Sequence, residues 1–123
     1  MTSELAGLKV FVVEDEMMVA MLMEDMLADL GCVVVGPISR LDDAMDRLGD
    51  LTLDCAVLDV NLGGQSVFPL ADLLRERGVP YAFATGYGDA GVRPVDNGAP
   101  VLQKPFREAD LARVLSELKQ ARG

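Results

Sequence analysis

The sequence has no histidine, only two cysteines and far fewer basic than acidic residues. The absence of histidine excludes any catalysis in which this chain itself supplies an imidazole as acid or base. A formal net charge of −9 argues against binding nucleic acid, because contact with the phosphate backbone relies on lysine and arginine. Cys32 and Cys55 lie within apolar runs and form no CxxC pair, so we expect both to be reduced core residues of a cytoplasmic protein.

Long hydrophobic segments are also missing. No apolar run reaches the ~18 residues that would suggest a membrane span. Residues 1–4 lack the basic character that opens a signal peptide. The 123 residues, half of them hydrophobic, therefore predict a single domain with its own core and no membrane segment.

Short apolar runs alternate with segments of helical periodicity. The predicted strands are residues 8–13, 32–35, 55–58, 81–84 and 100–102. The segments between them place apolar residues at i, i+3 and i+4, the pattern of helices that pack on a sheet. This alternation predicts an α/β fold with a five-stranded parallel sheet and helices on both faces.

The predicted helices carry recognisable boundaries. The apolar stripe of the first helix consists of Val19, Leu22, Met23, Met26, Leu27 and Leu30. Ser39 and Ser66 are the predicted N-caps of the second and third helices. Residues 86–98 contain four glycines and Pro94, so we expect the fourth helix to be weak or irregular.

Polar residues follow four of the five predicted strands. They are Glu14 and Asp15 after the first, Asp59 after the third, Thr85 after the fourth, and Lys104 with Pro105 after the fifth. Because ligands of open α/β sheets bind at the carboxyl ends of the strands, we expect these side chains to converge. Each has an ordinary alternative when taken alone: acidic groups favour a helix start, and an aspartate often caps a turn. Thr85 could equally be a loop residue and Lys104 a solvated lysine, but their complementary types at one sheet edge favour a site.

The chemistry of such a site follows from its charges. Three crowded carboxylates repel unless a cation lies among them, and an all-oxygen ligand set favours Mg²⁺. Asp59 can attack phosphorus and form an acyl phosphate, while Mg²⁺ held by Asp15 and Asp59 offsets the charge. Lys104 can then pair with one phosphoryl oxygen, and the Thr85 hydroxyl can donate to another. Gly86 leaves room beside the phosphoryl group for an incoming donor or water.

These motifs together resemble the receiver domain of two-component response regulators, over residues 7–121. The resemblance implies the flavodoxin-like fold with strand order 2-1-3-4-5, the order that receivers exemplify. It also implies that Asp59 is the phosphoacceptor and Asp15 a direct Mg²⁺ ligand. Glu14 would act mainly through water, and the backbone carbonyl of Asn61 would complete the metal site. The peptide bond between Lys104 and Pro105 is expected to be cis.

A narrower resemblance concerns residues 83–87, Phe-Ala-Thr-Gly-Tyr, which are similar to the signature of "FAT GUY" receivers. These are often stand-alone regulators in alphaproteobacterial general stress signalling. The chain departs from most receivers at Val101, where an aromatic usually lies three residues before the lysine. We expect Tyr87 to take over part of that aromatic's role or to gate water at Asp59; the alternative is an ordinary surface tyrosine.

The first predicted helix has more methionine than its core face needs. Met17, Met18 and Met21 lie outside the apolar stripe, and Met21 points almost opposite to it. Exposed methionine suits an adaptable protein contact, although tolerated surface methionine is an equal alternative. By the family resemblance, this helix is where the histidine donor packs.

The predicted function is that of a stand-alone receiver without an output domain. It would accept a phosphoryl group on Asp59 from a phosphohistidine of a sensor histidine kinase or a histidine phosphotransfer protein. Its output would be docking to a downstream protein or phosphate shuttling, and it would be no enzyme beyond its own phosphorylation and dephosphorylation. The alternatives are a degenerate receiver that only docks, or an Asp-nucleophile phosphohydrolase, for which Asn61 replaces the second aspartate such enzymes use.

Overall fold

The computed structural model describes residues 4–86, 93, 96 and 98–122 of the chain. The helices described are α1 (Met17–Asp29), α2 (Leu41–Leu48), α3 (Phe68–Glu76) and α4 (Glu108–Arg122). The strands are β1 (Lys9–Val13), β2 (Val33–Ile38), β3 (Cys55–Asp59), β4 (Asn61–Leu62), β5 (Gln65–Ser66), β6 (Tyr81–Thr85) and β7 (Val101–Gln103). The predicted weak fourth helix falls mostly outside the described residues. None of the helices described is both long and apolar enough to cross a membrane.

Five parallel strands form the main sheet in the order β2-β1-β3-β6-β7. Counted among themselves in chain order, these strands follow the predicted order 2-1-3-4-5, so the flavodoxin-like fold is confirmed. The register aligns Val13 with Leu58, Asp59 with Ala84, and Thr85 with Gln103. The carboxyl ends of the central strands therefore meet at one edge of the sheet. β4 and β5 form a separate antiparallel hairpin between β3 and α3.

Apolar residues cover both faces of the sheet. One core joins alternate strand residues to α1 and α4: Val10, Val12, Val57, Ala82, Met23, Leu27, Leu111, Val114, Leu115 and Leu118. The other joins the remaining strand residues to α2 and α3: Phe11, Val13, Leu58, Phe83, Ala44, Leu48, Leu70 and Leu74. Every residue of β3 and β6 is buried, which is typical of central strands in a parallel sheet.

The buried face of α1 differs from the predicted one. Leu22, assigned to the apolar stripe, is 50% exposed, whereas Ala20 is buried together with Met23 and Leu27. Ala20 is small, so its side of the helix can lie close to the sheet, and Leu22 turns toward solvent. Met17, Met18 and Met21 are exposed as predicted.

Two predicted local features are also corrected. Ser39 does not cap α2, because the helix begins at Leu41 and its N-cap position is Arg40, which makes no side-chain cap bond. Ser66 is not the N-cap of α3 either, but its hydroxyl accepts a hydrogen bond from the Phe68 N–H (3.2 Å). Both cysteines are free thiols; Cys55 is buried, but Cys32 is only partly so.

Candidate functional site

A cleft of about 720 Å³ opens at the carboxyl edge of the sheet. Asp59 reaches it as the last residue of β3, Thr85 as the last residue of β6, and Asp15 follows β1. Its lining also includes Asn61, Gly86, Lys104 and Pro105. The structure thus brings together the polar residues that the sequence placed after four separate strands. Tyr87, predicted as a switch residue, lies outside the described residues.

Four carboxylates crowd the inner end of this cleft. Glu14, Asp15, Glu16 and Asp59 each present one oxygen, and these oxygens all lie within 4.8 Å of one another. Glu14 and Asp59 are buried, while Asp15 and Glu16 face solvent. Glu16 was not among the predicted site residues, although the run Glu-Asp-Glu after β1 was a signal that could have indicated it.

Lys104 is the counter-charge to this acidic group. Its Nζ lies 2.9 Å from Glu14 Oε1, 3.4 Å from Glu16 Oε1 and 3.5 Å from Asp59 Oδ2. Burial alone would lower the pKa of Lys104, but the three carboxylates outweigh it and raise the pKa above its ordinary value. The side chain is therefore a positively charged ammonium over the whole physiological range.

The surroundings of Asp59, in contrast, disfavour its charged form. Burial raises the pKa of its carboxyl well above the usual range, and the neighbouring Glu14 and Asp15 raise it further. Lys104 opposes this rise without cancelling it. An ionised Asp59 in this cleft thus needs more positive charge than Lys104 alone provides.

The β4–β5 hairpin holds two of the carboxylates from the side. The Gly63 N–H donates to Asp15 Oδ2 (2.8 Å), and the Asn61 N–H donates to Asp59 Oδ1 (3.3 Å). The Asn61 side-chain oxygen accepts a hydrogen bond from the Gly64 N–H (2.8 Å), which closes the hairpin. This hairpin was not predicted from the sequence, although a Gly-Gly pair between two short extended segments is a turn signal.

The chain around Thr85 and Lys104 forms the remaining wall. Thr85 is buried, and its carbonyl oxygen accepts a hydrogen bond from the Lys104 N–H (2.8 Å), which ties β6 to the lysine. The peptide bond between Lys104 and Pro105 is cis, as expected. Val101 is half-buried and aligns with Phe83 on β6.

The residues of the cleft fit a divalent cation. Glu14 Oε1 is buried, and although Lys104 Nζ lies close to it, no hydrogen bond of good geometry reaches this oxygen. Four carboxyl groups face one ammonium group, and the available donors are carboxylate oxygens, the ligand type of Mg²⁺. The donor set and its charge imbalance both favour such an ion.

Exposed apolar side chains lie beside the cleft on α1. Val19 and Leu22 line the cleft itself, and Phe106, just after Pro105, lines it from the β7 side. Met17, Met18 and Met21 extend this apolar surface along the helix. A partner that reaches into the cleft would therefore meet apolar surface next to the acidic group.

Residues 10–116 match the family model of the response regulator receiver domain. The chain belongs to this family. Receivers are signalling domains of two-component systems, and they bind Mg²⁺ at an acidic pocket of the kind described above. As a family they interact with sensor kinases and with downstream proteins, and they are not generally enzymes.

Among curated proteins, this receiver is 31% identical over 121 residues to the sensory transduction protein LytT of Bacillus subtilis. That alignment covers 92% of this chain and 48% of LytT, so the chain spans about half the length of the curated relatives it matches.

Among solved structures, SdrG from Sphingomonas melonis Fr1 is 40% identical, with a TM-score of 0.81 over 91% of this chain and 96% of SdrG. The BeF3-activated conformation of SdrG matches with a TM-score of 0.79. A receiver domain of a sensor histidine kinase from Pseudomonas aeruginosa PAO1, described with a magnesium ion in its active site cleft, matches with a TM-score of 0.80. At 24% identity, over 94% of this chain and 99% of that one, this likeness concerns the fold.

Proposed function

We propose that this protein is a stand-alone receiver that accepts a phosphoryl group on Asp59 from a phosphohistidine. The observation that carries this proposal is the position of Asp59, whose Oδ2 lies 3.5 Å from Lys104 Nζ within a group of four converging carboxylates. A carboxylate beside both an ammonium and a cation site can approach a negatively charged phosphoryl donor, because the two positive charges offset the repulsion. The donor would be a sensor histidine kinase or a histidine phosphotransfer protein.

Asp15 and Asp59 would hold Mg²⁺ directly, with the Asn61 carbonyl as a further ligand and Glu14 acting through water. The ion would supply the positive charge that phosphoryl transfer to a carboxylate requires. The Gly63 N–H supports this assignment, because it occupies one oxygen of Asp15 and leaves the other available. Glu16, exposed at the mouth of the cleft, would add to the negative potential without being buried.

In the transfer step, an oxygen of Asp59 attacks phosphorus and forms an O–P bond. The P–N bond of the donor breaks, and its electron pair stays on the imidazole nitrogen, which then takes a proton from solvent. Lys104 exchanges its contact with the Asp59 carboxylate for a phosphoryl oxygen, and the Thr85 hydroxyl donates to another. Phosphorylation replaces one negative charge on Asp59 by about two, so the demand for Lys104 increases.

Recognition of the donor would use the exposed apolar surface of α1. Met17, Met18 and Met21 are unbranched and adaptable, and they lie next to the cleft that a phosphohistidine must enter. The output would be docking to a downstream protein, or return of the phosphoryl group to another histidine. The likeness to SdrG, 96% of which the alignment covers, supports a receiver that signals by itself. We propose that it acts in the cytoplasm.

The decisive experiment is incubation with Mg²⁺ and acetyl phosphate, followed by intact mass measurement. We expect one added phosphoryl group, absent without Mg²⁺ and absent in Asp59→Asn, which keeps the size of the side chain. Asp46→Asn is the matched control, because Asp46 is an exposed aspartate of α2. If the wild-type protein gains no phosphoryl group from acetyl phosphate or from any phosphohistidine donor, it is a docking module instead.

A further inference from the structure

A second charged cluster lies away from the cleft, between α3 and the chain that follows β6. Its centre is Asp96, whose side chain is fully buried. Arg93 donates two hydrogen bonds to this carboxylate, from Nε to Oδ2 (2.9 Å) and from Nη2 to Oδ1 (3.0 Å). The Tyr81 hydroxyl at the start of β6 donates a third, to Oδ1 (2.5 Å). A buried carboxylate with this many partners fixes the position of Arg93 closely.

Arg93 also contacts α3 through two side chains. Its Nη2 lies 2.9 Å from Asp72 Oδ1, and its guanidinium carbon lies 4.3 Å from the centre of the Phe68 ring. We call Phe68, Asp72, Tyr81, Arg93 and Asp96 the Arg93 cluster. It joins the chain beyond β6 to the first two turns of α3 by an ion pair and a cation–π contact.

Arg93 and Phe68, on the two sides of the Arg93 cluster, are each connected to the phosphorylation site by a short stretch of chain. Arg93 lies eight residues after Thr85, the hydroxyl that we propose contacts the phosphoryl group. Phe68 lies two residues after the β4–β5 hairpin, which holds Asp15 and Asp59 through the amides of Gly63 and Asn61. A rearrangement at either Thr85 or the hairpin would thus move one side of the Arg93 cluster relative to the other.

The contacts described belong to the arrangement in which Lys104 is paired with Glu14 and Asp59. A phosphoryl group on Asp59 would replace that pairing. We propose that the Arg93 cluster is a regulatory contact, which stabilises this unphosphorylated arrangement and must loosen when the phosphoryl group recruits Lys104 and Thr85. The inference rests on the proposed function, since it assumes that Asp59 takes up a phosphoryl group.

Weakening the contacts of the Arg93 cluster should therefore lower the free-energy cost of adopting the phosphorylated arrangement. A ligand that favours one of two arrangements binds more tightly when the other is destabilised. Asp72 is 45% exposed, so its ion pair with Arg93 is modest, and loss of this contact should raise the affinity for a phosphoryl mimic by about two- to fivefold. The cation–π contact with Phe68 should have an effect of similar size.

The experiment uses the whole 123-residue chain, Mg²⁺ and beryllofluoride, which binds an aspartate as a phosphoryl mimic. Asp72→Asn removes the negative charge of the α3 partner, and Phe68→Leu removes the aromatic ring. Arg93→Lys keeps a positive charge beside Asp96 but loses the two guanidinium hydrogen bonds. The control is Asp42→Asn, which breaks an exposed ion pair with Arg40 at the start of α2. Beryllofluoride affinity is measured by fluorine NMR, and Tm is measured with and without saturating mimic.

We expect each cluster variant to bind beryllofluoride two- to fivefold more tightly than the wild type, with the Asp42→Asn control unchanged. Each variant should also lose more Tm without the mimic than with it, because the contact has already loosened in the bound form. Unchanged or weaker affinity, or an equal loss of Tm in both conditions, would show that the cluster is merely structural and overturn the inference. A wild-type chain that binds no beryllofluoride would overturn the proposed function as well.

Discussion

Asp15→Asn should stabilise the metal-free protein, although Asp15 is a proposed metal ligand. Its carboxylate oxygen lies within 4.8 Å of oxygens from Glu14, Glu16 and Asp59. Asparagine removes the charge but keeps an oxygen that can accept the hydrogen bond from the Gly63 N–H. The substitution thus relieves repulsion without breaking the contact that positions the side chain.

The size of the effect follows from this spacing. Two like charges ~4.8 Å apart repel by about 0.9 kcal/mol in water and about 3.5 kcal/mol at an effective dielectric constant of 20. Asp15 is exposed, so the lower figure governs its pair with Glu16, while the buried Glu14 and Asp59 lie between the two limits. Attraction between Asp15 and Lys104 offsets part of the repulsion. We expect a net gain of about 1–2 kcal/mol in the free energy of unfolding.

Magnesium should offset most of this advantage. An ion that binds only the folded wild type with a dissociation constant of about 1 mM adds about 1.4 kcal/mol at ~10 mM, and Asp15→Asn should gain little. The assay is urea unfolding followed by far-ultraviolet circular dichroism, with and without Mg²⁺, and Asp46→Asn as an exposed control. A variant that is less stable than the wild type without Mg²⁺, or that gains as much from Mg²⁺, would refute the proposed metal site.

Three further predictions concern docking, acid stability and the switch. Met21→Glu should slow phosphoryl transfer from a cognate histidine kinase roughly tenfold but spare acetyl phosphate; equal loss with both donors would indicate misfolding. Burial would raise the pKa of Asp96, but hydrogen bonds from Arg93 and Tyr81 outweigh it and hold the pKa below its ordinary value. The carboxylate therefore contributes stability above the unfolded-state pKa, and this stability is lost as pH falls through the folded-state pKa. Below about pH 5 the wild type should lose more unfolding free energy than Asp96→Asn. Parallel curves of unfolding free energy against pH for the two proteins would contradict this. Tyr87→Ala should leave phosphoryl uptake by Asp59 intact but change the phosphoryl lifetime or partner binding, measured by intact mass over time and by titration with a partner.

The parallel sheet and the main site could be predicted because each site residue follows an apolar run, whereas the strand order was implied by the resemblance to receivers. In a parallel sheet, position after a strand fixes the end of the sheet where a side chain lies, so Glu14, Asp59 and Lys104 needed no further information to be placed together. The charges of these residues indicated Mg²⁺ and a phosphoryl group, and the resemblance to receivers added the roles of Glu14 and Asn61 at the metal; all of these roles remain proposals for this chain. The cis peptide before Pro105 was likewise implied by the family and is present.

The errors arose where packing, not sequence order, decides. Leu22 fits the helical period of the apolar stripe, yet Ala20 takes the buried position because a small side chain allows close approach to the sheet. Ser39 has the right chemistry for a cap, but α2 begins one residue too late for it to act. Such choices depend on how a helix meets its neighbours, and local propensity does not determine them.

The Arg93 cluster was invisible in the sequence for a different reason. Asp72 and Arg75 on α3 have the spacing of a solvated surface pair, and Arg93 and Asp96 occur in a glycine-rich stretch. Only the fold brings β6, α3 and this stretch together and buries Asp96 among them. Long-range charge pairs of this kind carry no periodic signal, so sequence alone could not separate them from ordinary surface residues.

The two charged clusters differ in their balance, and this difference gives them different roles. In the cleft, four carboxylates face Lys104 alone, so the group is incomplete without an added cation and responds to Mg²⁺ and to a phosphoryl group. In the Arg93 cluster, the two carboxylates face Arg93 and, from outside the cluster, Arg75, which contacts Asp72 (3.1 Å) and lies 3.7 Å from Asp96. A balanced cluster needs no added ion to complete its charges. Its influence on phosphorylation must therefore pass through the position of α3 and the chain after Thr85, which is why substitutions at Asp72 and at Asp15 should have separable effects.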